Sequence, residues 1–159
     1  MSVHPAHLAL PLHRSHSAAL LIAACAMSAA AQPQEVSRGD YVLRSSTVLS
    51  TTIDPVTARE HGIERSSSRG VLNVVVQRRG KAASGNVPAQ VTAFARNLAG
   101  MEREVPMREA KAPNGWVSYI GTYEFAPREV LDFIVTARPR GSQTELSLKF
   151  RDRLPLTGS

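Results

Sequence analysis

The chain has 159 residues, 43% of them hydrophobic and 20% charged, with one cysteine; 19 Lys and Arg against 13 Asp and Glu leave a formal charge of 19 − 13, or +6. That length predicts one domain, and the ordinary apolar content argues against a disordered chain. One thiol excludes a disulfide scaffold and a Cys-rich zinc site, and no apolar run reaches the roughly 20 residues of a membrane-spanning helix.

Residues 1–31 read as a signal peptide, outside the fold. Polar Met1 to His16, with Arg14 as its firm positive charge, precedes the apolar stretch Ala18 to Met27. Ala29-Ala30-Ala31-Gln32 then shows the small-x-small pattern of a leader-peptidase site, which places the cut after Ala31. Ile22-Ala23-Ala24-Cys25 also fits a lipobox loosely, so lipidation of Cys25 and anchoring in the outer membrane is the alternative. An acyl chain would contribute about 0.8 kcal/mol of membrane affinity per buried methylene. Either route removes a free thiol from an oxidising compartment. Cleavage also takes His4, His7, His13, His16 and Arg14, leaving 159 − 31 = 128 residues, His61 alone among the histidines, and a charge of 18 − 13, or +5.

Residues 32–38 are polar and read as a flexible lead-in, residues 39–155 as one domain, and residues 156–159 as a tail. Asp40 to Ser50 is rich in Tyr, Val, Leu and Thr but alternates imperfectly, which predicts an edge or bulged strand. A short helix follows: Asp54 caps, Pro55 takes the first position, Val56 to His61 forms the body, and Gly62 ends it. Two turns are marginal alone, so this helix must pack on something larger.

Six further strands are predicted: Gly70 to Arg78, Val87 to Leu98, Met101 to Ala110, Trp116 to Phe125, Val130 to Arg138 and Thr144 to Arg153. Gly, Asn and Pro clusters separate them, and Asn114-Gly115 is the strongest hairpin signal. Leu146, Leu148 and Phe150 alternate with Glu145, Ser147, Lys149 and Arg151, and Leu131, Phe133 and Val135 repeat the pattern, so one sheet face is dry and the other wet. Val74-Val75-Val76 suits a central strand. The predicted fold is all-β, an immunoglobulin-like antiparallel β-sandwich of about seven strands with one short helix after the first; a small β-barrel is the alternative.

Chemistry-bearing patterns are sparse. One mature histidine and no mature cysteine give no transition-metal donor set, and no calcium-loop spacing is present, so neither metal nor cofactor is expected. Ser66-Ser67-Ser68 lacks the nucleophile-elbow pattern and reads as a polar turn, while His61 reads as a residue at a helix end. Glu102, Glu104 and Glu109 alternate with Arg103 and Arg108 like a solvated strand, and no residue is assigned as catalytic. Basic clusters at Arg78-Arg79-Gly80-Lys81, Arg138-Pro139-Arg140 and Lys149 to Arg153 could meet an anionic envelope surface; nucleic acid is not an expected partner of an exported protein. Among aromatics, Trp116 faces opposite to Tyr119, Tyr123 and Phe125. Tyr41, Trp116, Tyr119 and Tyr123 are the candidate binding residues, with packing in the core as their default role.

Gly39-Asp40-Tyr41, the segment Asp54 to Ser66, Gly70-Val71-Leu72-Asn73-Val74-Val75-Val76 and Val87-Pro88-Ala89-Gln90-Val91 together resemble the proteobacterial exported family called domain of unknown function 4426, over nearly all of Arg38 to Leu154. The resemblance implies a periplasmic or envelope location and assigns no activity, cofactor or site residue. The expected function is a non-enzymatic binding module of the bacterial envelope. A small-ligand or glycan carrier is the alternative, and a hydrolase using His61 a more distant one.

Overall fold

The computed structural model describes residues 34–80 and 85–154. The cleavage site after Ala31, the lipidation candidate Cys25, Lys81 and the tail at residues 156–159 lie outside these residues.

Two antiparallel sheets pack face to face. The first has the order β1 (Gln34–Arg38), β2 (Tyr41–Leu49), β3 (Arg69–Arg78), β8 (Val117–Glu124), β7 (Met107–Lys111), with a two-residue β4 (Gly85–Asn86) paired to the end of β3. The second has the order β10 (Leu146–Asp152), β9 (Leu131–Pro139), β5 (Ala89–Asn97), β6 (Glu102–Glu104). Lettered from β2, these orders are A-B-E-D and G-F-C-C′, the strand neighbours of an immunoglobulin domain with β1 added at one edge. No closed barrel forms.

Period-two alternation fills the interior. Leu43, Leu72, Val74, Val76, Val117, Tyr119 and Tyr123 of the first sheet meet Ala93, Ala95, Phe133, Val135, Leu146 and Leu148 of the second, all buried. Burying each larger side chain contributes about 1.5–3 kcal/mol. Phe133, on β9, is among the largest fully buried side chains of this interior. Its ring meets Tyr123 edge-on at 5.0 Å and stacks on Phe150 at 5.1 Å.

The short helix α1 (Pro55–Glu60) forms as the sequence predicts. The Asp54 carboxylate accepts from the Val56 and Thr57 N–H groups at 2.9 and 3.1 Å, His61 is the C-cap, and Gly62 takes φ +60°. Ala58, with Ile63 beyond the helix, buries against Val71 and Ile120 on the outer face of the first sheet.

Two expectations change. Gln34–Arg38, read as a flexible lead-in, is an edge strand paired with Tyr41–Ser45. Its polar sequence holds one apolar residue, Val36, because an edge strand contributes backbone pairing more than burial. The predicted strand Met101 to Ala110 is two strands in different sheets. Val105 is buried and donates its N–H to the Ala93 carbonyl at 2.8 Å, and Pro106, which has no N–H to continue a ladder, marks the crossing from β6 to β7.

Candidate functional site

Helix α1 covers only part of the outer face of the first sheet. It buries Val71 on β3 and packs against Ile120 on β8, while among the described residues the same face further along stays open. Alternation sends Arg44 and Ser46 of β2, Asn73, Val75 and Gln77 of β3, and Ser118 of β8 to this open region, because their neighbours Leu43, Ser45, Leu72, Val74, Val76, Val117 and Tyr119 point inward. The result is a shallow concavity of about 400 Å³, bounded by Asn86 on one side and Trp116 on another.

A hydrogen-bonded row crosses four strands of this face. Arg44 donates from Nε to Glu35 Oε2 at 2.8 Å and from Nη1 to Gln77 Oε1 at 2.8 Å, and Gln77 Nε2 donates to Asn86 Oδ1 at 3.1 Å. The Arg44 charge is thus paired with Glu35, whose carboxyl the Arg44 hydrogen bond holds below its ordinary range. Among the described residues, the side chains of Ser46, Asn73, Ser118 and Trp116 form no hydrogen bond, so their capacity remains open to a ligand.

Trp116 is 54% exposed, a large fraction for so apolar a ring. The turn before it fixes its backbone: Ala112 N–H donates to the Trp116 carbonyl at 2.8 Å, Trp116 N–H donates to Asn114 Oδ1 at 3.1 Å, and Gly115 takes φ +81°. The Asn-Gly signal in the sequence therefore has a consequence beyond the hairpin, since it holds the indole at the edge of the open face.

The other aromatic candidates lie elsewhere. Tyr119 and Tyr123 are buried between the sheets, the core packing that is their default role, and do not reach the open face, because their parity along the chain is opposite to that of Trp116. Tyr119 also bonds within the protein: its hydroxyl accepts from Ala89 N–H at 2.7 Å and donates to Glu109 Oε2 at 3.2 Å. Tyr41 is half-buried against the core, with the Arg78 guanidinium 5.9 Å above its ring.

The carboxylates and bases remain dispersed. Glu102 pairs with Arg96 on the second sheet at 2.6 Å, and Glu109 meets Lys111 and Arg140 on the first, so the Glu102–Glu109 run does not form a cluster. His61 accepts a hydrogen bond from Arg108 Nη2 through its backbone carbonyl at 2.9 Å, and its imidazole makes none among the described residues. Ser66 and Ser68 bond to each other at 3.1 Å within the turn before β3. No group of three His, Cys, Asp or Glu among the described residues could hold a metal ion.

Two of the three basic clusters are more gathered than the sequence suggests, while Lys149 to Arg153 lies toward the other end of β10, with Arg151 bonded to Asp132. Arg79 N–H reaches the Asp40 carbonyl, and Arg38 and Arg138 both reach Glu145, which brings the β1–β2 turn, the end of β3 and the β9–β10 turn to one end. Carboxylates accompany them there: Arg79 meets Glu35 at 3.6 Å, Arg138 meets Glu145 at 2.8 Å, and Arg140 meets Glu109 at 3.5 Å.

Arg44, Asn73, Gln77 and Asn86 were missed as site residues. For Asn73 and Gln77 the signal is their spacing of alternate positions along β3, which the run Val74-Val75-Val76 obscures; Arg44 stands in a run of polar residues on β2, and Asn86 lies on the short β4.

Fold and face together define a class: a two-sheet, immunoglobulin-like sandwich with one open polar sheet face edged by a tryptophan. The chain belongs to the DUF4426 family, whose model, described as a domain of unknown function, matches residues 34–155. It is similar to the crystal structure of a DUF4426 family protein from Pseudomonas aeruginosa PAO1, with 26% identity and a TM-score of 0.65 over 76% of this chain and 93% of that one. No curated protein matches it.

Proposed function

We propose that this protein is an exported, non-enzymatic binding module of the bacterial envelope, and that it binds through the outer face of its first sheet. The observation that carries the reading is the exposed Trp116 in one concavity with the side chains of Ser46, Asn73 and Ser118, which form no hydrogen bond among the described residues. A solvent-facing indole next to unspent hydrogen-bonding groups is the composition of a recognition surface. The leader-like N-terminus supports export, with cleavage after Ala31 or acylation of Cys25 as the two routes.

Ligand enclosure inside the sandwich is less favoured than binding on the face. The interior is filled by side chains, and the concavity at its mouth, near Asn97, Tyr123 and Glu129, holds about 190 Å³. Ligand pockets ordinarily begin near 300 Å³.

A photo-crosslinking residue at Ser118 should capture an envelope component in cells, while the same residue at Thr92, on the outer face of the second sheet, should not. Equal capture at both positions would remove the face from consideration. Intact mass separates the export routes: a chain beginning at Gln32 indicates cleavage, and a retained, acylated Cys25 indicates an anchor. A full-length chain in the cytosolic fraction would refute export.

A further inference from the structure

The geometry points to a short neutral oligosaccharide as the ligand of the Trp116 face. This rests on the reading of that face as the binding face, and it names the ligand class from the chemistry of the lining residues.

Charge is the first discriminator. The concavity contains one charged side chain, Arg44, and Glu35 accepts its Nε–H at 2.8 Å. An anionic ligand would have to compete with that carboxylate, and a cationic one would meet the guanidinium. The other polar groups, Ser46, Asn73, Gln77, Asn86 and Ser118, are neutral amides and hydroxyls. Each can donate and accept, as can a sugar hydroxyl.

Shape is the second. A pyranose has a flat face of C–H groups and a rim of hydroxyls. Trp116 provides a flat apolar ring held by its turn, and the strand residues provide a row of hydrogen-bonding groups beside it. A lipid tail is poorly served, because Val75, Ala112, Val117 and Trp116 are the apolar lining residues among many polar ones.

Saturation of the face also fits its internal bonding. Gln77 is held from both sides, by Arg44 at its oxygen and by Asn86 at its nitrogen. That orders the row before any ligand arrives and lowers the entropy lost on binding. The Asn86 amide nitrogen, the Asn73 amide and the Ser46 and Ser118 hydroxyls are left to meet ligand hydroxyls.

The chain has one tryptophan, so the proposed platform is also the reporter. Titrating the purified protein with maltotriose, cellotriose and chitotriose should give, for at least one of them, a saturable blue shift of Trp116 emission and less quenching by acrylamide. Calorimetry should show Trp116→Ala abolishing that binding, Trp116→Phe retaining part of it, and Gln77→Ala weakening it about tenfold or more. Thermal denaturation of each variant should confirm that it is folded; Trp116→Phe guards against a fold lost in the alanine form. Binding of no trisaccharide up to about 10 mM would overturn the inference. So would binding unchanged in Trp116→Ala, or a preference for a sulfated trisaccharide over every neutral one. If sugars fail while crosslinking at Ser118 persists, the saccharide inference falls and the binding face stands. If both fail, both readings fall.

Discussion

Gly70 lies opposite Tyr123 in the β3–β8 ladder, and the tyrosine ring occupies the volume that a side chain at position 70 would need. A methyl group there would overlap the ring carbons and the hydroxyl oxygen. The glycine acts here through the space it leaves, and the ring covers the strand where a side chain is missing.

Gly70→Ala should therefore destabilise the fold by about 1–3 kcal/mol, the usual cost of overpacking. Urea denaturation should show the loss as a lower midpoint. Tyr123→Leu in the Gly70→Ala background should cost less than the sum of the two single changes, because the clash is shared. Strict additivity would mean the ring moves aside freely.

The Tyr123 hydroxyl is buried and forms no hydrogen bond of ordinary geometry among the described residues, with the Thr47 hydroxyl acting on it only as a weak neighbour. A buried polar group left unpaired costs about 1–3 kcal/mol. Tyr123→Phe keeps the ring contacts with Phe125 and Phe133 and removes that group. The variant should match or exceed the parent in denaturation midpoint. A clear loss of stability would show that the hydroxyl is satisfied in solution, for instance by a water.

Stability should fall at both ends of the pH range. Burial is the largest cause that raises the Tyr123 and Tyr119 hydroxyls; for Tyr123 the Asp152 charge adds to it, while the nearby Thr47 hydroxyl works the other way. Above about pH 10 the unfolded tyrosines lose protons that the folded ones keep, so the folded state binds more protons and stability drops as pH rises. At the acid end, the hydrogen bond from Lys111 holds the Glu109 carboxyl low and that from Arg151 holds Asp132 low. Their contribution is present above the unfolded carboxylate range and lost as pH falls below about 4. These ion pairs are exposed, so added salt should flatten the acid limb. Denaturation midpoints across pH, at low and high salt, test both limbs; a midpoint that rises above pH 10 would contradict the first.

Asp54→Ala should cost about 1 kcal/mol, since it leaves the Val56 and Thr57 N–H groups without their side-chain acceptor. Asp54→Ser should retain most of the cap. A helix unaffected by the alanine change would show that packing of Ala58 on Val71 holds α1 without the cap.

Much of the local structure was legible in the sequence. Asp54, Pro55 and Gly62 act at the helix ends through their own backbone and side-chain chemistry, which needs no distant partner. The same holds for the alternation of Leu146, Leu148 and Phe150, and for the opposed facing of Trp116 and Tyr119. Pro106 carried a readable signal as well: a residue without an N–H in the middle of a predicted strand marks the point where β6 ends and β7 changes sheets.

The candidate site was less legible, and the reason is the range of the interactions that build it. Alternation along one strand says which residues share a face; it does not say which strands lie side by side. Arg44 and Gln77 meet across 33 positions, because β2 pairs with β3 in a register that puts Arg44 opposite Val75. Trp116 joins them because β8 pairs with the other edge of β3, and because α1 covers only the far part of the face. Likewise β1 is a strand through its pairing with β2, which its own polar residues do not announce. By itself the sequence determined most of the strands, the turns and the capped helix, all of which follow from neighbouring residues. Only the tertiary structure decided the sheet partners, the burial of Tyr119 and Tyr123, and the open polar face, since each depends on pairing between segments far apart in the chain.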